Sequence, residues 1–229
     1  MLCPIIGVIK SGNDDILELT RIILDRKRQL ELKNSLPGKL NSAIVNDFAS
    51  NAQAMHETVG NDIYSCRNGD EYSDEFKAAF DMGNVKPIVV VRDLYEIIFE
   101  ILAEAKRNKE TGEVKEFFAQ FSSATDVFNP ARHFAKVMSG WIEFAKKNNV
   151  LVLNYTAAIE NIGDAAQKIA DYLSTQVYLY EVVDKFIQIT ESREIQLPSR
   201  SDLQQIRTNF SEENMAILDR LNKSILLPE

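Results

Sequence analysis

Two short apolar runs, each ending abruptly in a cation, constrain this chain more than any other feature. The first covers residues 4–9 and leads into Lys10, Ser11 and Gly12, while the second covers residues 87–91 and leads into Arg92. A buried strand that passes through a glycine turn into a helix forms an anion site, because backbone amides and the positive end of the helix dipole converge there. Both runs therefore predict buried strands, and the first predicts a site for phosphate or a similar anion.

Strand and helix signals alternate along the rest of the chain. Further strands are predicted at 62–66 and 150–153. Helices are predicted at 14–33, 40–58, 72–82, 94–107 and 113–121, from Asn129-Pro130 onward, and over most of the chain after 156, with breaks near Ser174 and Pro198. Strands separated by helices predict an α/β fold with a parallel, doubly wound sheet covered on both faces, which makes three layers.

The carboxyl edge of such a sheet is where ligands bind. The residues predicted to lie on that edge, because they follow a strand or end one, are Lys10, Ser11, Cys66, Arg67, Arg92 and Tyr155. Asp14 and Asp15 directly follow the first glycine turn and add negative charge at the same place. Carboxylates in the first turn of a helix also complement its dipole, so their presence there has an ordinary structural explanation.

Composition limits the classes of partner. The 229 residues suffice for one domain with a full core, predicted to span 1–229 with helical insertions at about 34–60 and 108–129. A net charge of −8 disfavours general binding to nucleic acid. No apolar stretch reaches the roughly 18 residues of a membrane span, and the start lacks the basic region of a secretory signal. We therefore expect a cytoplasmic protein without nucleic-acid or membrane partners. Cys3 and Cys66 are predicted at opposite ends of parallel strands, which is too far apart for a disulfide.

Several segments, in order along the chain, resemble segments of one known family. They are Ile6–Gly12, Gly83–Asp93, His133–Trp141 with Val150–Tyr155, Ile162–Leu173, and Phe210–Leu218. The first resembles a phosphosulfate loop usually written P-K-S-G-T-T, and the second resembles a strand that ends in an arginine for a 3′-phosphate. Together they resemble the sulfotransferases that use 3′-phosphoadenosine 5′-phosphosulfate (PAPS). The resemblance implies the sulfotransferase type of the P-loop nucleoside triphosphate hydrolase-like fold.

The resemblance also implies a role for particular residues. Those implied to bind PAPS, or its desulfated product PAP, are Lys10, Ser11, Gly12, Asn13, Arg92, Glu100 and Tyr155. Lys10 is implied to neutralise the transferring group, and Arg92 to bind the 3′-phosphate. His56 and His133 are candidates for the general base, although neither aligns with the family's histidine. The implied acceptor is a small molecule or a glycan-like molecule, and no metal is implied.

The chain departs from the family pattern at charged positions. Asn13 and Asp14 replace two threonines, Glu100 replaces a serine, and residues 64–66 replace the lysine-threonine-histidine that carries the base. The late arginine-lysine-glycine motif is absent, and only Arg193, Arg200 and Arg207 are available as substitutes. A carboxylate 4 Å from a phosphate costs about 4 kcal/mol at an effective dielectric of 20, and loss of a base costs roughly 10²–10⁴ in rate.

The singled-out residues also have simpler explanations. Lys10 can be a solvated loop lysine, Arg92 can pair with a nearby acid, Cys66 can be an inert cysteine, and His133 can be a packed or capping residue. A magnesium role for Asp14 or Asp15 together with Glu100 is a weaker alternative. An NTPase reading of the Gly7–Gly12 spacing is also weaker, because Asn13-Asp14 replaces the required Lys-Ser/Thr. Two functions stay open, a sulfotransferase and a catalytically inactive protein of the same fold that acts as a binding or interaction module. The sequence leaves the oligomeric state open.

Overall fold

The computed structural model describes residues 3–8, 10–28, 63–66, 74–83, 85–112, 116–191 and 197–226. The predicted helix at 40–58, the insertion at 34–60, His56 and Arg193 lie outside these residues. In the described part, a small parallel sheet is surrounded by a larger number of helices.

The sheet has four strands, β1 (Cys3–Ile6), β2 (Ile63–Cys66), β3 (Ile88–Val91) and β4 (Leu151–Asn154). Their order is β2-β1-β3-β4, and every neighbouring pair is parallel. The chain leaves β1 toward one side of the sheet and returns on the other, so the direction of winding reverses between β1 and β3. Such a reversal is the place where open parallel sheets bind ligands, outside the carboxyl ends of the strands.

The helices fill the connections between the strands and the end of the chain. They are α1 (Asn13–Arg28), α2 (Asp74–Asp81), α3 (Leu94–Thr111), α4 (Glu116–Ala119), α5 (Phe128–Asn148), α6 (Tyr155–Glu160), α7 (Ile162–Tyr172), α8 (Leu179–Glu191), α9 (Arg200–Thr208) and α10 (Glu212–Ile225). Asn154 ends β4 and caps α6, because its side chain accepts a hydrogen bond from the Ala157 amide at 3.1 Å. The strand therefore turns into helix without a loop.

Alternate residues of the strands belong to two separate apolar clusters. Val89 and Val91 of β3 lie in a cluster with α3, α5 and α10, whereas Ile88 and Val90 lie in a cluster with α1, α7 and α8. Because successive strand residues point to opposite faces, a near-continuous apolar run such as β3 indicates burial on both faces. The predicted parallel α/β sheet is thus confirmed, and its finer description as a three-layer doubly wound sheet remains a prediction.

One helix start was predicted wrongly. Asn129 and Pro130 were expected to cap and open the helix, but α5 begins at Phe128. A 3₁₀ helix at 124–127 runs directly into it, and Asp126 holds that turn by accepting hydrogen bonds from the Ser122 and Ser123 amides at 2.9 and 2.8 Å. Pro130 is then the third helical residue, where the amide needs no partner within the helix.

The other boundaries shift by a few residues. The helix predicted at 94–107 continues to Thr111, where Gly112 ends it in the left-handed conformation with φ 71°. The helical region after 156 has the predicted breaks near Ser174 and Pro198, and further breaks at Asn161 and at 209–211. Among the described residues no helix is both long and apolar enough to cross a membrane.

Candidate functional site

The loop between β1 and α1 is tightly constrained. The Ser11 amide donates to the Val8 carbonyl at 3.1 Å, and both Lys10 and Gly12 have positive φ values, 62° and 91°. The Ser11 hydroxyl donates to Asn13 Oδ1 at 2.8 Å, and both side chains are buried. A Cβ atom on Gly7 would lie 2.3 Å from that hydroxyl oxygen and from that Oδ1, so only glycine fits. Ser11 and Asn13, both predicted cofactor ligands, therefore hold the shape of the loop.

Arg92 connects this loop to the end of β3. Its side chain is 3% exposed, and its Nη1 donates to the Lys10 carbonyl at 3.1 Å. Its Nε donates to Glu96 at 2.9 Å and its Nη2 to Glu100 at 3.3 Å. The prediction that the ends of β1 and β3 meet at one edge is confirmed by these contacts. At that edge, the guanidinium is paired with two carboxylates of α3, the helix that follows Arg92.

Tyr155 packs between the two strand ends. Its ring lies 4.5 Å from the Arg92 guanidinium carbon, and a Cβ atom on Gly12 would lie 1.9 Å from ring atom Cδ2. Its hydroxyl donates to Asp15 at 2.7 Å. Burial, followed by the adjacent Asp15 carboxylate, raises the pKa of Tyr155 above its usual range. The ring is thus a neutral, fixed wall over the glycine of the loop.

Lys10 points toward the middle of α3. Its Nζ lies 3.2 Å from Glu104 Oε2 and 5.3 Å from the centre of the Phe118 ring. Arg107 donates to the same carboxylate oxygen at 2.9 Å. Sequence reasoning missed Glu104, although Glu96, Glu100 and Glu104 recur every four residues and so share one face of α3. From that spacing, a row of carboxylates on one face of α3, beside Lys10 and Arg92, could have been predicted.

His133 lies apart from this cluster, whereas His56 and Arg67 lie outside the described residues. His133 is exposed on α5, and its ring lies 6.3 Å from that of Phe134. Within the described ranges, no hydrogen bond or ion pair connects His133 to Lys10 or Arg92. Asp14 is exposed in the first turn of α1. Trp141 is buried and packs edge-on against Phe76 with ring centres 5.2 Å apart.

Metal binding has no support in the described part of the chain. No group of three or more His, Cys, Asp or Glu side chains there is arranged to hold a metal ion. Glu96 and Glu100 instead accept hydrogen bonds from Arg92, and Glu96 also accepts one from the Thr156 hydroxyl. The acids of the site therefore serve as partners of cations and hydroxyls.

A parallel α/β sheet whose strand order reverses between β1 and β3 belongs to the class of folds that bind ligands outside the carboxyl ends of their strands. The sulfotransferase domain model matches residues 72–223, about two thirds of the chain. The chain belongs to the sulfotransferase domain family, as the resemblance implied, and this membership implies a P-loop-like α/β fold. The match includes Arg92, Glu100 and Tyr155 and begins after the β1 loop. A comparison with curated proteins gave no match.

Proposed function

We propose that this protein is a sulfotransferase that moves a sulfuryl group from PAPS to a hydroxyl or amine acceptor, and that it holds the donor where β1 and β3 end. The observation that carries the proposal is the 3.1 Å hydrogen bond from Arg92 Nη1 to the Lys10 carbonyl. It joins the two cationic strand ends at the switch point of the sheet. Membership of the sulfotransferase domain family supports the same reaction class.

The residues present fit one end of PAPS better than the other. At the 5′ end, a glycine loop leads into the first turn of a helix, and the side chain of Lys10 is 27% exposed and so has room to turn toward a ligand. At the 3′ end, Arg92 is 3% exposed and each of its three nitrogens already donates a hydrogen bond. PAPS supplies the sulfuryl group, and Lys10 is proposed to neutralise the charge of that group during transfer. The 3′-phosphate has no comparable partner among the described residues, because each nitrogen of the Arg92 guanidinium already donates a hydrogen bond.

The acceptor and the base remain proposals of the same kind. A small molecule or a glycan-like molecule is the expected acceptor, and His56 and His133 are the candidate bases. Replacing each histidine with asparagine tests them separately. Loss of a true base should lower the rate by roughly 10²–10⁴ while leaving donor affinity unchanged.

Titration calorimetry with PAP tests the donor site. Lys10→Ala should weaken binding, because it removes the cation proposed for the 5′ end. Lys106→Ala is the matched control, since Lys106 lies on α3 with a 79% exposed side chain and pairs only loosely with Glu110 at 3.9 Å. Arg92→Ala is a less clean test, because loss of one partner of a buried pair costs about 3–5 kcal/mol of stability. Equal PAP affinity in wild type, Lys10→Ala and a folded Arg92 variant would overturn the proposed site.

A second function has one specific observation in its favour. Both cations already hold glutamates, Lys10 at 3.2 Å from Glu104 and Arg92 at 2.9 Å from Glu96. Carboxylates in these places suit a catalytically inactive protein that uses the fold as a binding or interaction module. Incubation with PAPS and a panel of alcohols, phenols, amines and glycans, read by the mass of the acceptor, separates the two. A sulfonated product excludes the inactive module, and absence of product with a folded protein favours it.

A further inference from the structure

The contacts of Arg92 differ in how easily a ligand could replace them. The Lys10 carbonyl is a backbone group and stays with the loop. Glu96 is buried and also accepts a hydrogen bond from the Thr156 hydroxyl, so two donors hold it. Glu100 is 24% exposed, and its distance to Arg92, 3.3 Å, is the longest of the three. Glu100 is therefore the partner that an incoming anion would have to displace.

We propose that Glu100 sets the nucleotide specificity of the donor site, because its carboxylate occupies the Nη2 position of Arg92 that a 3′-phosphate would take. The inference rests on the proposed donor site and adds to it the class of nucleotide that the site favours. A 3′-phosphate has to displace the Glu100 carboxylate from Arg92 and then lie beside that negative charge. The 3′-phosphate therefore adds little to the affinity of the nucleotide. The site accordingly binds adenine nucleotides through their 5′ end and discriminates little between a 3′-phosphate and a 3′-hydroxyl.

Two commercial nucleotides isolate this effect. PAP and 5′-AMP differ only in the 3′-phosphate, so the ratio of their dissociation constants reports what that group contributes. In the wild type the two should bind about equally. In Glu100→Gln the PAP affinity should rise about tenfold or more, since a hydrogen bond to a charged group is commonly worth that much. Affinity for 5′-AMP should not change.

Glu110→Gln is the matched control. Glu110 lies on the same helix, ten residues further along, with a 64% exposed side chain paired to Lys106 at 3.9 Å. This variant removes the same charge from α3 without touching Arg92, so both affinities should stay at the wild-type values. A second site variant, Glu100→Ser, frees Arg92 with a smaller side chain and should also raise only PAP affinity. Thermal unfolding confirms that each variant is folded.

The outcomes separate this inference from the function on which it rests. PAP binding tenfold tighter than 5′-AMP in the wild type, with no further change in either Glu100 variant, would overturn the role of Glu100 while leaving the donor site intact. A parallel gain for both nucleotides would also overturn it, because the effect would then be general electrostatics. Failure of both nucleotides to bind any folded variant at millimolar concentration would overturn the donor site itself.

Discussion

Gly12 is the position where a single methyl group should most disturb the site. Its φ of 91° lies in the left-handed region, where a residue with a side chain costs about 1–2 kcal/mol more than glycine. A Cβ atom there would also lie 1.9, 2.2 and 2.5 Å from three atoms of the Tyr155 ring. Overpacking of this kind costs about 1–3 kcal/mol. Gly12→Ala should therefore lower the free energy of unfolding by about 2–5 kcal/mol, as measured by urea denaturation.

The chain supplies a matched control for the backbone contribution. Gly112 has a similarly positive φ, 71°, but among the described residues no atom beyond its own helix and chain neighbours lies within 4 Å of the position its Cβ would take. Gly112→Ala should cost only the conformational part, about 1–2 kcal/mol. The difference between the two variants then measures the collision with Tyr155 alone. Equal losses in the two variants would refute the close packing of the ring on the loop.

A double-mutant cycle tests the named partner. In a Tyr155→Ala background the ring is absent, so Gly12→Ala should cost no more than Gly112→Ala does. The expected coupling between the two positions is about 1–3 kcal/mol. Additive losses would show that Gly12→Ala acts through the backbone alone, and the assignment of Tyr155 as the wall of the loop would fail.

Three further predictions concern groups outside the loop. Burial raises the pKa of the Cys3 thiol to about 12, so Cys3 should stay unmodified by iodoacetamide at pH 8 until the protein is unfolded. Burial likewise raises the pKa values of Tyr95, Tyr155 and Tyr172 above the unfolded value of about 10. The unfolded state then loses these protons first, so the contribution of the three tyrosines to stability should be constant below about pH 10 and be lost as the pH rises above it, which denaturation at stepped pH measures. Asn222→Ala removes the side chain that accepts from the first amide of α3 and donates to its capping carboxylate, and should cost about 1–3 kcal/mol in urea denaturation.

The parallel sheet could be predicted because its strands carry their own signal. An apolar run such as 88–91, with no alternation of polar residues, fits only a strand buried on both faces. The meeting of the β1 loop with Arg92 followed from topology, since parallel strands place their carboxyl ends at one edge. Those two steps needed no knowledge of side-chain contacts.

The partner of Lys10 could not be predicted in the same way. Lys10 and Glu104 are 94 residues apart, and their pairing depends on where α3 lies over the loop. Tyr155 was predicted only to lie near a nucleotide, whereas its ring covers Gly12 and its hydroxyl bonds to Asp15, 140 residues away. The start of α5 was missed for a local reason, because the preceding 3₁₀ turn competes with the Asn129 cap and no periodicity reports it.

The contacts of Arg92 differ greatly in the length of chain they close. Glu96 and Glu100 lie four and eight residues away on the helix that begins two residues after Arg92, whereas the Lys10 carbonyl lies 82 residues away. Short loops close at the lowest entropic cost, so holding the two carboxylates beside the guanidinium costs less chain entropy than holding the Lys10 carbonyl there. A carboxylate that is joined to Arg92 by a few residues of chain competes with dissolved anions at an effective concentration of millimolar order or more. A dissolved anion at micromolar concentration therefore competes poorly for Arg92 with the two carboxylates of the helix that follows it.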